Sequence, residues 1–148
     1  MVRMIVFLCL VLGLALPCFA QDQPAGKIKT LQGSVVVLRG EKSIPAALGL
    51  DVFPKDELRT GKDSSVGLTL EDDTLLSMGA ESSLYLSEYL FDPKDNLFSL
   101  ALRLIKGSFL YMSGVIGKLA PEKVHIETPD ATIGIRGTRF LVRVENGK

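Results

Sequence analysis

From Ala25 onward, apolar residues recur at every second position, in short runs broken by Gly, Asp, Asn or Pro about every eight to twelve residues. A period of two puts alternate side chains on one face of an extended chain, which limits the fold to strands with one buried face. Lys27 to Leu38 reads as a strand interrupted at Gly33 and closed by the turn Arg39-Gly40-Glu41-Lys42. Val66, Leu68 and Leu70 alternate with Gly67 and Thr69, Glu71-Asp72-Asp73 turns the chain, and Leu75 to Met78 returns as the second arm of a hairpin. Leu84, Leu86 and Tyr89 mark a further strand, and Asp92-Pro93-Lys94-Asp95-Asn96 turns it into Phe98, Leu100, Leu102 and Leu104. Gly107 separates that run from Phe109 and Tyr111. The Leu and Ala content of Leu97 to Ile105 suits a short helix, but alternation with Ser99, Ala101 and Arg103 favours a strand. No segment carries a convincing helical period. The prediction is an all-β chain, a single antiparallel-rich β-sandwich or short β-roll.

The first residues do not share this pattern. Arg3 precedes an uncharged apolar run from Ile5 to Leu16, too short to cross a bilayer comfortably, and Pro17 ends it. Cys18-Phe19-Ala20 then sets small residues where a signal peptidase requires them, so cleavage is expected after Ala20, with an uncleaved anchor as the alternative. Pro17 disfavours lipid attachment at Cys18. The expected division is a signal peptide over 1–20, a lead-in over 21–32 and the β domain over 33–148. Cleavage removes Cys9 and Cys18, the only two cysteines, leaving no disulfide, thiolate metal site or cysteine nucleophile. The whole chain balances 17 basic against 17 acidic residues, and losing Arg3 hardly changes that. A near-neutral domain has no electrostatic case for nucleic acid. The expected location is periplasmic or secreted, with no stable membrane span once the signal is removed.

Catalytic chemistry finds little support. The single histidine, His125, alternates with Val124 and Ile126 and should face solvent. No nucleophile elbow, phosphate-cradling glycine loop or dinucleotide fingerprint is present, and Glu71-Asp72-Asp73 reads as a solvated turn rather than a cation site. The expectation is a non-enzyme without metal or cofactor. More specific is a change of phase near the C-terminus: Ile133 and Ile135 are odd, whereas Phe140, Val142 and Val144 are even. A glycine-based β-bulge at Arg136-Gly137-Thr138 would absorb the extra residue, placing Arg136 and Thr138 at the kink and Arg139 and Arg143 together on the solvent face. Such arginines are either simply solvated or form a small cationic patch for a carboxylate or a partner strand.

Three local patterns carry a resemblance to a known family. Lys55-Asp56-Glu57-Leu58-Arg59-Thr60-Gly61 is similar to a Gly-Asp-x-hydrophobic-x-Thr turn and strand. Val66 to Met78 is similar to an apolar strand, an Asp-Gly-Ser/Thr turn and a second strand. Thr128-Pro129-Asp130-Ala131, followed by Arg136-Gly137-Thr138-Arg139-Phe140, matches Thr-Pro-x-Ala and Arg-Gly-Thr-x-Phe. Together they resemble the FecR domain, the all-β periplasmic module of bacterial sigma regulators, over about Gly33 to Val144.

The resemblance implies structural roles for Asp56, Thr60, Pro129, Gly137 and Phe140. The partner-binding candidates are Arg136, Thr138, Arg139 and Arg143. Lys55 and Asp73 stand where the family usually has glycine, which opens those turns to a different backbone shape. Only Met1 to Met4 precede the apolar run, so the cytoplasmic segment with which such regulators hold a sigma factor is not expected here. Asn146-Gly147 is a hairpin-turn signal with no strand after it, so either the sequence is a fragment or its last strand has an open edge. The function expected is an exported envelope module that binds a protein partner in signalling or assembly. The alternative is a cell-wall glycan-binding module, for which Tyr85, Tyr89 and Tyr111 would have to line one exposed face.

Overall fold

The computed structural model describes residues 23–135 and 138–145. Among these, twelve strands join in one curled sheet: β1 (Gly26–Gln32), β2 (Val35–Arg39), β3 (Lys42–Pro45), β4 (Asp51–Val52), β5 (Asp56–Thr60), β6 (Ser65–Leu70), β7 (Leu75–Met78), β8 (Ser83–Asp92), β9 (Leu97–Met112), β10 (Val124–Glu127), β11 (Thr132–Gly134) and β12 (Arg139–Val144). The all-β reading is correct, and Leu97 to Ile105 is strand. The expectation of no helix is not. A short helix α1 (Val115–Leu119) and a 3-10 turn (Pro121–Lys123) link β9 to β10. With five residues, α1 is too short to leave a 3.6-residue period in the sequence.

The sheet is organised by β9, which is 16 residues long and serves two halves. Its first half, from Leu97 to Lys106, pairs antiparallel with β8 and, over Leu100 to Arg103, in parallel with β10. Its second half, from Gly107 to Met112, lies between β7 and β12, antiparallel to both. One half then runs β9-β8-β5-β2-β3 and the other β9-β7-β6-β1-β4. Gly107 does not end the strand, as the sequence suggested, but bends it. Its φ is +85°, and a Cβ there would fall 2.2 Å from Ser82 Oγ and 2.5 Å from Ser82 Cα. The inward residues change from even (Leu100, Leu102, Leu104) to odd (Phe109, Tyr111) across it, so each half of β9 faces the common core.

Burial follows the alternation. Ile28, Val37, Leu58, Leu70, Leu76, Leu84 and Ile126 join the inward residues of β9 in one cluster between the two halves, closed at one end by Ile116 from α1. The expected hairpin is β6–β7, with Leu68 opposite Leu76 and Val66 opposite Met78. Gly33 breaks β1 from β2 at φ +73°, where the sequence placed the interruption.

The C-terminal run is not one bulged strand. β11 pairs with β10, whereas β12 pairs with the second half of β9, so the chain passes from one half of the sheet to the other between Gly134 and Arg139. Arg136 and Gly137, where the bulge was expected, lie outside the described residues. The phase change itself is real. Ile135 and Val142 are buried, and Ile133, Phe140 and Val144 pack against the same core.

Candidate functional site

β12 is anchored on one side only. It pairs with β9 from Arg139 opposite Met112 to Val144 opposite Gly107, and no described strand lies on its other side. Hydrogen bonding alternates along an antiparallel ladder, and the N–H of Ser113 donates to the carbonyl of Thr138 at 2.8 Å, which fixes the phase. Residues 138, 140, 142 and 144 therefore turn their backbone groups toward β9, while Arg139, Leu141 and Arg143 turn theirs to the open edge. On the opposite flank of β9 the phase is complementary, since the N–H of Gly79 donates to Ser108 O at 3.1 Å and residues 108, 110 and 112 bond β7.

The same three residues carry the exposed side chains. Arg139 and Arg143 are exposed, Leu141 is 63% exposed, and Thr138 is exposed at the start of the strand. Phe140 points inward, stacked on Tyr111 at 4.9 Å between centroids and edge-on to Phe109 at 6.4 Å. Neither Arg139 nor Arg143 has an ion-pair partner among the described residues. The other strands at the ends of the described sheet are shorter: β3 ends in Pro45, β4 has two residues and β11 three.

The sheet face continuing from Leu141 is apolar at its centre. Leu141 lies opposite Leu110, which lies opposite Ser77, and Arg139 continues through Met112 to Leu75, itself 42% exposed. Gly67 leaves a shallow depression of about 230 Å³ there, bordered by Thr30 and Lys29 on β1. A larger hollow of about 590 Å³ lies elsewhere, among Pro24, Pro54, Lys55, Phe91 and Pro93.

Of the motif residues, Asp56, Thr60 and Pro129 sit where elements of the scaffold meet or turn, and Gly137 lies outside the described residues. Asp56, fully buried, accepts two hydrogen bonds from Arg39, Nε to Oδ1 at 2.9 Å and Nη2 to Oδ2 at 2.8 Å, and a third from the Phe53 N–H at 2.8 Å. The Arg39 guanidinium also sits 4.4 Å above the Phe53 ring. Thr60 Oγ1 donates to Gly79 O at 2.6 Å and accepts from the Ser82 N–H at 2.9 Å, tying β5 to the loop before β8. Pro129 is exposed in the turn from β10 to β11, closed by the Thr128 N–H on Ala131 O at 2.8 Å and the Ala131 N–H on Thr128 Oγ1 at 3.1 Å.

Residues 56–148 match the family model described as FecR protein, which covers well over half of the sequence. The chain belongs to the FecR family. It is thus a module related to FecR-type regulators. No curated protein and no solved structure matches it.

In this FecR chain the matched span opens at Asp56, and β1 to β4, which precede it, are built into the same sheet through β1–β6 and β2–β5 pairing. The two departures from the usual FecR glycines keep a glycine-like backbone: Lys55 has φ 71° and Asp73 φ 63°. The turn Glu71-Asp72-Asp73 is not simply solvated, because Asp72 is fully buried. Its Oδ2 accepts from Thr74 Oγ1 at 2.8 Å and from the Ile116 N–H at 3.1 Å, and its backbone N–H donates to the Tyr89 hydroxyl at 2.9 Å. Asp72 thereby supplies the side-chain cap that Gly114 cannot give α1. Burial, with the nearby Asp72 charge, pushes the Tyr89 phenol well above its ordinary range.

Arg39 and Asp72 were missed as key residues because their partners lie far away in sequence. The three tyrosines do not form a common platform. Tyr111 is fully buried, the Tyr89 hydroxyl is bound to Asp72, and Tyr85 is half-buried on β8 between Glu57 and Arg103. His125 is exposed on β10.

Proposed function

We propose that this FecR chain is a non-enzymatic, exported envelope module that binds a protein partner through β12 in signalling or assembly. The observation that carries the reading is the coincidence, at Arg139, Leu141 and Arg143, of exposed side chains with backbone groups that have no partner strand among the described residues. An edge of this kind offers main-chain hydrogen bonds to an incoming strand, and alternate side chains select which strand binds. Asp56, Thr60 and Phe140, by contrast, spend their contacts inside the domain and hold the scaffold rather than a ligand.

The test is photo-crosslinking in cells from a probe at position 139, with adducts identified by mass spectrometry. A discrete protein adduct, absent when the probe is moved to exposed Lys94 on the β8–β9 turn, is the expected result. Capture of wall fragments alone would favour the glycan alternative, and no adduct at position 139 would overturn partner binding through this strand.

A further inference from the structure

The end of the β8–β9 hairpin runs past its neighbours. β5 pairs with β8 only over Ser83 to Tyr85 and β10 with β9 only over Leu100 to Arg103, whereas β8 and β9 stay paired out to Asp92 opposite Leu97. This projecting arm closes the hollow of about 590 Å³ against Pro24 of the lead-in and the turn at Pro54-Lys55. Small-molecule sites fall in a range of about 300–1,000 Å³.

Each wall of the hollow is fastened. Ala25, next to Pro24, donates its N–H to Val52 O at 2.7 Å and accepts the Glu71 N–H on its carbonyl at 2.8 Å. The Lys55 N–H donates to Leu86 O at 2.7 Å. Tyr89, which also lines the hollow, has its hydroxyl held by the Asp72 N–H at 2.9 Å. Phe91 lies beside Phe98 with ring centroids 6.0 Å apart. Asp92 Oδ1 accepts the N–H groups of Lys94 at 3.0 Å and Asp95 at 3.2 Å, which fixes the turn carrying Pro93. The cleft is therefore preformed, with Phe91 and three prolines among its apolar walls.

Its four charged residues, Lys55, Lys94, Glu71 and Asp92, are not equally free. Asp92 is engaged with its own turn. Asp51 and, more weakly, Glu71 raise Lys27 above its ordinary range, which sets Glu71 near a cation outside the cleft. Lys55 and Lys94 make no ion pair among the described residues. Lys55 also holds a left-handed backbone, φ 71°, that glycine would adopt without strain, so its side chain reaches the cleft at a cost to the fold.

We propose that this cleft binds a small organic anion, a carboxylate on an apolar body, with the body against Phe91 and the prolines and the carboxylate held by Lys55 and Lys94. Burial of the body supplies affinity, and the ammonium groups add charge-assisted hydrogen bonds. Two flexible lysines are point charges rather than a planar fork, so the site selects for charge more than for one acid. Nothing in it depends on β12, and it stands apart from partner binding there.

The experiment is an NMR titration of the purified protein with three compounds that share one apolar body: phenylpropionate, phenylpropionamide and phenylpropylamine. The acid should bind roughly fivefold or more tightly than the amide, the order of one solvent-exposed charge pair, and the amine most weakly. The shifted resonances should be those of Phe91, Pro24, Pro54 and Pro93, and added salt should erode the acid's advantage. The variant Lys55→Gly with Lys94→Gln should bind acid and amide alike, while its spectrum shows that the fold is kept.

Equal binding of the three compounds, a preference for the amine, or no binding at all would overturn the proposal. Shifts centred on the depression at Gly67 instead of on Phe91 would do so too, as would an acid preference that survives the double variant. Nuclear Overhauser contacts from the Phe91 ring to any residue before Gln23 in the free protein would overturn it by showing that the chain fills the cleft itself.

Discussion

Arg39 and Asp56 meet in a two-pronged ion pair in which the carboxylate is fully buried while the guanidinium side chain remains 36% exposed. The pair holds the end of β2 to the start of β5, and Arg39 Nη2 also donates to Asp51 O at 2.9 Å, drawing in the short strand β4. The hydrogen bond to Asp56 and the neighbouring charges, outweighing the cost of burial, raise Arg39 above its ordinary range. Arg39→Gln should destabilise the domain by about 3 kcal/mol, because a buried carboxylate is left with little beyond the Phe53 N–H. Asp56→Asn should cost less, about 2 kcal/mol, since it removes the buried charge along with its partner. Urea midpoints would check the order, and equal, negligible costs would show that the pair is ornamental.

The bend in β9 makes a second test. Gly107→Ala should cost about 3 kcal/mol, combining a left-handed backbone with a Cβ placed against Ser82 Cα. Gly40→Ala shares the positive φ but meets no atom within 4 Å, and should cost about 1 kcal/mol. Comparable losses at the two positions would remove the close-approach argument.

Lys55→Gly should stabilise the protein by about 0.5 kcal/mol, because relief of the left-handed lysine exceeds the added freedom of the unfolded chain. Asp73→Gly should gain less, since aspartate tolerates that region. A shift of thermal midpoint read by calorimetry decides it, and a loss at position 55 would mean that the Lys55 side chain makes a contact of value.

Alkaline titration tests the inner tyrosines. Burial pushes Tyr89 and Tyr111 above the ordinary phenol value of 10.0, with the Asp72 charge adding to it. Their unfolded forms release protons first as pH rises, so the stability they contribute is complete below about pH 10 and declines above it. Ultraviolet phenolate absorbance should therefore show two of the three tyrosines ionising only together with unfolding. Independent ionisation in the folded state would contradict their burial.

Replacing both Arg139 and Arg143 by Ser should leave stability within about 0.5 kcal/mol, as at unpartnered surface sites, while reducing crosslinking from position 141. A variant that fails to fold would show that the two arginines are structural.

The strands, most of the turns and the exposed pair of arginines were legible because each is written in neighbouring residues: alternation at Val66 to Leu70, a glycine at position 33, a phase change before Phe140. What escaped was carried by distance in sequence. Nothing next to Asp72 tells that it caps a helix beginning at Val115, and nothing near Ile135 tells that the following strand joins the other half of the sheet. A turn with three acids looks solvated until its middle residue is enclosed by Tyr89 and α1. Pairing partners, unlike strand periods, are properties of the folded whole.

The sharing of β9 also sets how this protein comes to be folded. Its two flanks recruit strands from Leu75 through Val144, and no half of the sheet closes without it. Its pairing with β8 is a local hairpin, but β7, β10 and β12 reach it from farther along the chain, so joining the two halves waits on distant segments and slows the search. Until β12 arrives, the backbone groups of Gly107, Phe109 and Tyr111 on the second half of β9 wait without the partners they take in the finished sheet.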